Sequence, residues 1–317
     1  MAQLTLAQAR VINPVLTSIA QGFKQNTLVG AKLFPQVNVG LRAGNIITFG
    51  KEEFMQYSGL VRAPGGATRR MQVGYSGSPF ALVDYSLEGS LPIETMQEAQ
   101  ANDNGFSIDI AGIMIKKTLG IMNLRLEIAQ ATLATTLANY GANNRTTLSG
   151  TSQWSDYTGV STPAAVIETA KEQIRSQTGK RPNVMVLGPV VFARLRQHPQ
   201  IRDYIKYANR EVATPEILAE FFGVQEVVVA DGIQATDAGV FSDIWGKHAI
   251  LAYTDMDSVA NMGAPTFGYT YNLGGYPLVE EPYYDRNSKT WYFPVTRAEA
   301  PVIAGAAAGY FIQNAVA

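Results

Sequence analysis

Residues 104–139 read NGFSIDIAGIMIKKTLGIMNLRLEIAQATLATTLAN, a stretch with no proline and with apolar residues at helical spacing. Ile108, Ala111, Ile115, Leu119, Met122, Leu126, Ala129, Leu133 and Leu137 form one i, i+3, i+4, i+7 stripe. Ile110, Ile113, Met114, Ile121, Leu124 and Ile128 form a second stripe beside it. Only Asp109, Gly112, Lys116, Gly120, Asn123, Glu127 and Gln130 make a thin polar strip between the two. A helix of roughly 35 residues at about 1.5 Å per residue is ~50 Å long, well beyond the usual three or four turns. A coiled-coil seam needs one narrow stripe with charged flanks, and this helix has two. It has to be covered on two sides, by its own chain or by a neighbour.

The rest of the composition sets limits. The chain has 317 residues, 46% hydrophobic and 16% charged, with a net charge of −1. That length suits one large domain or two. The balance excludes a polybasic nucleic-acid binder and a disordered acidic chain. There is no cysteine, so disulfides and thiolate metal sites are excluded. No basic segment followed by an apolar signal core opens the chain. The apolar tract at 301–317 is interrupted by Gly305, Gly309, Gln313 and Asn314 and falls short of about 20 apolar residues. The reading is of a soluble chain whose last strand covers Gly309 to Ile312.

Charge is segregated. Residues 1–83 carry eight Lys/Arg and two Glu, whereas 84–109 carry Asp84, Glu88, Glu94, Glu98, Asp103 and Asp109 and no base. One segment is suited to attract the other, within or between chains.

Taken in order, residues 1–40 read as an arm laid over other structure, with strands from Leu28 to Val39 around Pro35. From Leu41 to Gly89 the pattern is a two-stranded ribbon turning at Ala63-Pro-Gly-Gly66, its tip carrying Arg62, Arg69 and Arg70 and no acid between 54 and 74. Such a ribbon is marginal alone in water. After the long helix and a loop at 140–157, the punctuation becomes clear. Thr162-Pro163 opens a helix that Gly179 closes. A buried strand (184–187), a helix from Pro189, a helix from Pro215 to Gly223 and strands at 226–230 and 248–253 follow. This alternation is an α/β layer unit. Beyond Pro265, Phe267, Tyr269 and Tyr271 alternate as a strand, and 276–284 pairs with 290–296 as a hairpin.

Chemistry-bearing patterns are sparse. His198 precedes Pro199 at a helix end and His248 opens a buried strand; neither has a catalytic partner in sequence. Gly246-Lys247 lacks the upstream glycine of a phosphate loop. Asp255 and Asp257 form an isolated turn pair. No nucleophile elbow or zinc-protease motif occurs. No catalytic residue, cofactor site or metal site is assigned. The basic first 50 residues suit weak contact with nucleic-acid phosphates.

The order arm, ribbon with a Pro-Gly tip, overlong helix, α/β unit and β return resembles the major capsid proteins of tailed bacteriophages with the HK-97-like fold. The most specific residues are Ile174–Asn183 (IRSQTGKRPN), Leu187-Gly-Pro189, Leu195–Pro199 (LRQHP), Ile205-Lys-Tyr207, Phe221–Val224 (FFGV) and Trp245–Tyr253 (WGKHAILAY), with Leu33-Phe-Pro35 and Gly309–Ile312 in support. The resemblance spans essentially the whole chain. It implies an α+β fold with an N-terminal arm (1–40), an E-loop ribbon (41–90), a P-domain (91–160 and 263–317) containing the spine helix at 104–139, and an A-domain (161–262). It implies a structural, non-enzymatic protein that self-assembles as hexamers and pentamers into an icosahedral shell around double-stranded DNA. The shell is put together in the bacterial cytoplasm and ends in the virion. Expected partners are further copies, a separate scaffolding protein, a portal and, weakly, the packaged DNA, with no membrane contact. Ribbon-to-helix charge pairing between subunits is expected of Arg62, Arg69 and Arg70 with Glu88, Glu94, Glu98 and Asp103. The Lys–Asn cross-link between ribbon and neighbour that some such proteins form is not carried over to Lys51, because the sequence identifies no reactive pair. An encapsulin-type compartment shell and an α/β enzyme remain as alternative readings.

Overall fold

The computed structural model describes residues 28–45, 64, 79–101, 110–207, 213–236, 238–255 and 266–317. Arg62, Arg69, Arg70, Asp103 and Asp257, the start of the long helix at 104–109 and most of the ribbon lie outside the described residues, as does the side chain of Glu98.

A helical turn, α1 (Gly30–Leu33), replaces the first half of the strand pattern expected around Pro35. Strand β1 (Gln36–Val39) follows. Strands β2 (Ala43–Asn45) and β3 (Pro79–Ala81) then pair antiparallel, closing the base of the ribbon. Phe80 stacks on Tyr271 at 4.4 Å and covers Gly44, where a Cβ would lie 2.9 Å from its ring. Strand β4 (Val83–Pro92) leaves the ribbon and runs straight into helix α2 (Ile93–Ala101), in the acidic stretch that sequence read only as a lead-in.

The long helix is α3 (Ile110–Thr135), 26 described residues and so ~39 Å. It ends four residues before the boundary expected at 139. Thr136 is extended and Leu137–Asn139 form a 3-10 turn. Side chains hold this end. Asn139 Nδ2 donates to the Leu133 carbonyl, Tyr140 Oη to Ala134 and Arg145 Nη1 to Leu137, satisfying acceptors that a helix C-terminus leaves open.

Strand β5 (Arg145–Thr147) follows, then α4 (Pro163–Thr178), β6 (Val184–Leu187), α5 (Pro189–Leu195), α6 (Pro199–Tyr207), α7 (Pro215–Phe222) and β7 (Glu226–Val229). Proline opens and left-handed Gly179 and Gly223 close the helices α4 and α7. The Thr162 hydroxyl makes no capping bond. A small hairpin, β8 (Ile233–Ala235) with β9 (Phe241–Asp243), precedes β10 (Ala249–Ala252). The chain finishes with β11 (Gly268–Leu273), β12 (Leu278–Val279), β13 (Tyr283–Asp285), β14 (Thr290–Ile303) and β15 (Gly309–Gln313).

Two sheets organise these elements. In the first, β14 is the axis. Along one side it pairs with β4 from Thr290↔Pro92 to Glu299↔Val83, and along the other with β13, β12 and β11 in turn. Strand β1 adds itself parallel to β11, so the arm is stitched into this sheet rather than only laid over it. The second sheet has the order β5-β15-β10-β6-β7. The C-terminal strand β15, placed by sequence with the P-domain at 263–317, therefore pairs with β10 of the α/β unit. The central strands β6 and β10 are buried at every position, as strands covered on both faces must be.

Candidate subunit-contact surfaces

The spine helix α3 lies on the first sheet. Odd residues of β4 (Tyr85, Leu87, Gly89, Leu91) turn toward it, while Asp84, Ser86, Glu88 and Ser90 are exposed on the outer face. The approach is closest at Gly89, where a Cβ would lie 3.0 Å from Thr118 Oγ1. The first apolar stripe is covered here: Ile115, Leu119, Met122 and Leu126 are at most 5% exposed, and the first three pack with Leu91, Val279, Phe293 and Val295. Met114, of the second stripe, packs with them. The rest of the second stripe among the described side chains is not covered in this way. Ile113 is 42% and Ile121 60% exposed, with Leu124 and Ile128 half-buried. Lys116 and Lys117 are exposed beside Ile113.

The polar strip turns inward at its C-terminal end. Glu127 and Gln130 are each 2% exposed. Glu127 accepts the Val29 and Gly30 amides at 3.0 and 2.8 Å and the Trp245 Nε1–H at 2.7 Å. One carboxylate thus joins the arm, the spine helix and the α/β unit. Burial pushes its pKa up, opposed by the hydrogen bonds from Trp245, Gly30 and Val29. Gln130 donates to Thr270 Oγ1, which donates to the Phe34 carbonyl. Gly30 has no room for a side chain: a Cβ would sit 2.0 Å from Gln130 Oε1 and 2.7 Å from Glu127 Oε2. Lys32 adds an ion pair to Glu226 at 2.7 Å, and Phe34 packs on Phe267.

A second charged cluster ties the middle of the helix to β14. Glu299, 1% exposed, lies between Arg297 and Arg125 at 3.2 and 3.4 Å. Burial raises its pKa, and the two guanidinium groups oppose that. Arg297 Nη1 also donates to Asn123 Oδ1, and the Arg125 guanidinium covers the Tyr85 ring. Neither cluster was visible in sequence, because each joins segments that lie far apart along the chain.

Of the expected interface acids, Glu88 is on the outer face of β4, where it accepts the Tyr283 hydroxyl at 3.0 Å. Glu94 is exposed in the first turn of α2. Asp84 is already paired within the chain, 2.6 Å from Arg42. The histidines are built into packing. His198, 2% exposed, accepts the Gln200 amide, and His248 accepts that of Asn314; burial lowers the pKa of both. A polar cleft of about 380 Å³ lies between β1, β11 and β14, lined by Gln36, Asn38, Asn272 and Arg297 among others, with no carboxylate or histidine in its lining. Among the described residues no group of three or more His, Asp or Glu is placed to hold a metal, and no helix is long and apolar enough to cross a membrane.

The family model described as Phage major capsid protein E matches residues 128–297. The major capsid protein of Burkholderia phage BcepMu is 33% identical over 313 residues, 98% of each chain. The chain belongs to the phage major capsid protein family. A major capsid protein of Pseudomonas phage JBD67 is 27% identical over 83% of each chain. A crystal structure of a phage-related protein from Bordetella bronchiseptica superposes with a TM-score of 0.82 at 37% identity, covering 97% of this chain and 98% of that one. At fold level the likeness extends to the capsid of cyanophage P-SCSP1u (TM-score 0.55, 11% identity, 99% and 92% covered) and to the SrpI encapsulin of Synechococcus elongatus (0.54, 11%, 99% and 96%). The α+β architecture of this capsid protein is HK-97-like.

Proposed function

We propose that copies of this capsid protein assemble as hexamers and pentamers into the icosahedral wall of a phage head, which encloses double-stranded DNA. The observation that carries this reading is the end-to-end likeness to the BcepMu major capsid protein. The open stripe of α3 supports it, because an apolar face at Ile113 and Ile121 is stable in water only at a cost that a neighbouring copy removes. The protein acts by assembly rather than catalysis. A separate scaffolding protein, a portal and weak contact with packaged DNA complete its partners, and assembly takes place in the host cytoplasm. The encapsulin reading rests on fold-level likeness alone.

Within the shell, residues 1–40 act as an arm and 41–90 as an E-loop reaching over an adjacent subunit. The P-domain (91–160 and 263–317) carries the wall, and the A-domain (161–262) gathers at capsomer centres. Arg62, Arg69 and Arg70 of the ribbon meet the acidic lead-in of a neighbour. Glu94, exposed in α2, is the best-placed acceptor, with Glu98 and Asp103 beyond it and Glu88 on the outer sheet face. Negative-stain microscopy of purified protein should show capsomers or closed shells, and the double variant Arg69→Glu, Arg70→Glu should abolish them with unchanged circular dichroism. Only monomers from the parent protein across scaffold and salt conditions would count against the shell. Normal shells from the double variant would count against the charge pairing alone.

A further inference from the structure

The α/β unit carries two exposed apolar patches that the fold leaves uncovered, and their charges are opposite. The first is the β8–β9 hairpin. Ile233 is 54%, Val240 61% and Phe241 70% exposed. Ala235 pairs with Phe241 and Ile233 with Asp243, so Ile233 and Phe241 stand on one face of the ribbon. A two-stranded hairpin presenting such a face is marginal by itself. Residues 231–243 contain Asp231, Asp237 and Asp243 and no Lys or Arg.

The second patch is the loop before α4, with Tyr157 37% and Val160 61% exposed. Tyr157 donates its hydroxyl to the Arg194 carbonyl and sets its ring edge-on to His198. Arg194 and Arg196 are exposed beside it. Asp156 in the same loop is turned back onto Thr158.

The placement of the two is what decides the occupant. Strands β5, β15, β6 and β7 run the same way, with β10 reversed between β15 and β6. The hairpin follows the outer strand β7, and the loop follows the opposite outer strand β5. Trp154, leading into the loop, packs in the core on one face of the sheet, while Trp245, closing the hairpin segment, packs in the core on the other. A patch and its complement on opposite edges and faces of one unit cannot meet within a chain. Between copies a head-to-tail contact would bring them together, an arrangement that gives a ring where the rotation closes.

We infer that the occupant of the hairpin face is a second copy of this chain: Ile233 and Phe241 of one subunit pack on Tyr157 and Val160 of the next, with Val240 at the rim of the contact and Asp231 and Asp243 facing its Arg194 and Arg196. This inference rests on the shell reading and goes beyond it by naming a heterologous contact and its residues. Charge complementarity fixes the direction of the ring, and the apolar residues supply the burial.

The absence of cysteine makes the test direct. Val160→Cys and Val240→Cys are introduced singly and together, particles are scored by microscopy, and assembled protein is treated with a short bis-maleimide before denaturing electrophoresis. The double variant should give a ladder of dimer, trimer and higher species, and each single variant should stay monomeric on the gel. Dimers from either single variant would mean a two-fold contact and overturn the proposal, as would intact particles of the double variant without a ladder. Arg194→Glu with Arg196→Glu should lower particle yield by roughly tenfold, and adding Asp231→Lys with Asp243→Lys to the same chain should restore it; unchanged yield from the arginine reversal overturns the pairing. If the cysteine-free parent forms no particles at all, the shell reading itself fails and takes the contact with it.

Discussion

The two sheets of this capsid protein solve the same problem in different ways. The β5-β15-β10-β6-β7 sheet is covered on both faces by its own chain, and Met185, Leu187, Ile250 and Leu251 are at most 1% exposed. The sheet built on β14 has the spine helix on one face and solvent on the polar outer face of β4. Its helix is itself finished on one side only. The β5-β15-β10-β6-β7 sheet is therefore a self-sufficient core, and the β14 sheet is, in the proposed wall, a platform that a neighbour completes. A wall protein needs both, a rigid body that folds before assembly and a surface that is satisfied only after it.

The sharpest way to break this comparison is to damage the self-sufficient core. Leu251→Ala, at a fully buried position, should cost about 2–5 kcal/mol, read as a shift in urea midpoint of unassembled protein. A loss of less than 1 kcal/mol would show that this sheet is not the main source of subunit stability.

The junction between the two sheets comes next. Glu127→Ala strands the Val29 and Gly30 amides and the Trp245 indole without an acceptor, which should cost roughly 3 kcal/mol. Glu127→Gln keeps the shape and should cost less. The two differ in pH dependence from the parent as well. Because burial holds the folded pKa of Glu127 above its ordinary value of 4.5, the folded state binds the extra proton. Its contribution is complete below about pH 4.5 and is lost as pH rises through the raised folded pKa. Glu127→Gln should flatten that part of the stability–pH curve, and an unchanged slope would show that the carboxylate is not what titrates there.

Smaller still is the ribbon base. Arg42 and Asp84 are both substantially exposed, so Arg42→Ala should change subunit stability by at most about 1 kcal/mol. Any such change should shrink further in high salt, which urea melts at two ionic strengths would read.

What the sequence disclosed follows the range of the forces involved. The α/β unit was legible because its signals are local: Pro163 and Pro215 open helices, Gly179 and Gly223 close them in left-handed conformations, and β-branched runs mark buried strands. The 290–296 hairpin was legible for the same reason. Long-range pairing was not. Nothing near Asp84 says that β4 will zip along β14 some two hundred residues away, or that the last strand will cross into the α/β sheet. Glu127 looked like any polar residue on a long helix, since its partners are 98 and 118 residues away. Leu119 and Ile121 are equally apolar in sequence, yet one is buried and the other is 60% exposed; periodicity marks two stripes but does not say which one the chain covers. The interface charges were legible only as a bias in composition. The structure describes Glu88 and Glu94 and spends one of them on Tyr283.

The central claim is that the open face of the spine helix is covered by another copy when the wall forms. Ile121→Cys places the only thiol of the chain on that face, and maleimide labelling can be timed on dissociated subunits and on intact particles of the same preparation. Labelling should be fast in subunits and strongly suppressed in particles. Equal rates in the two states would contradict the account.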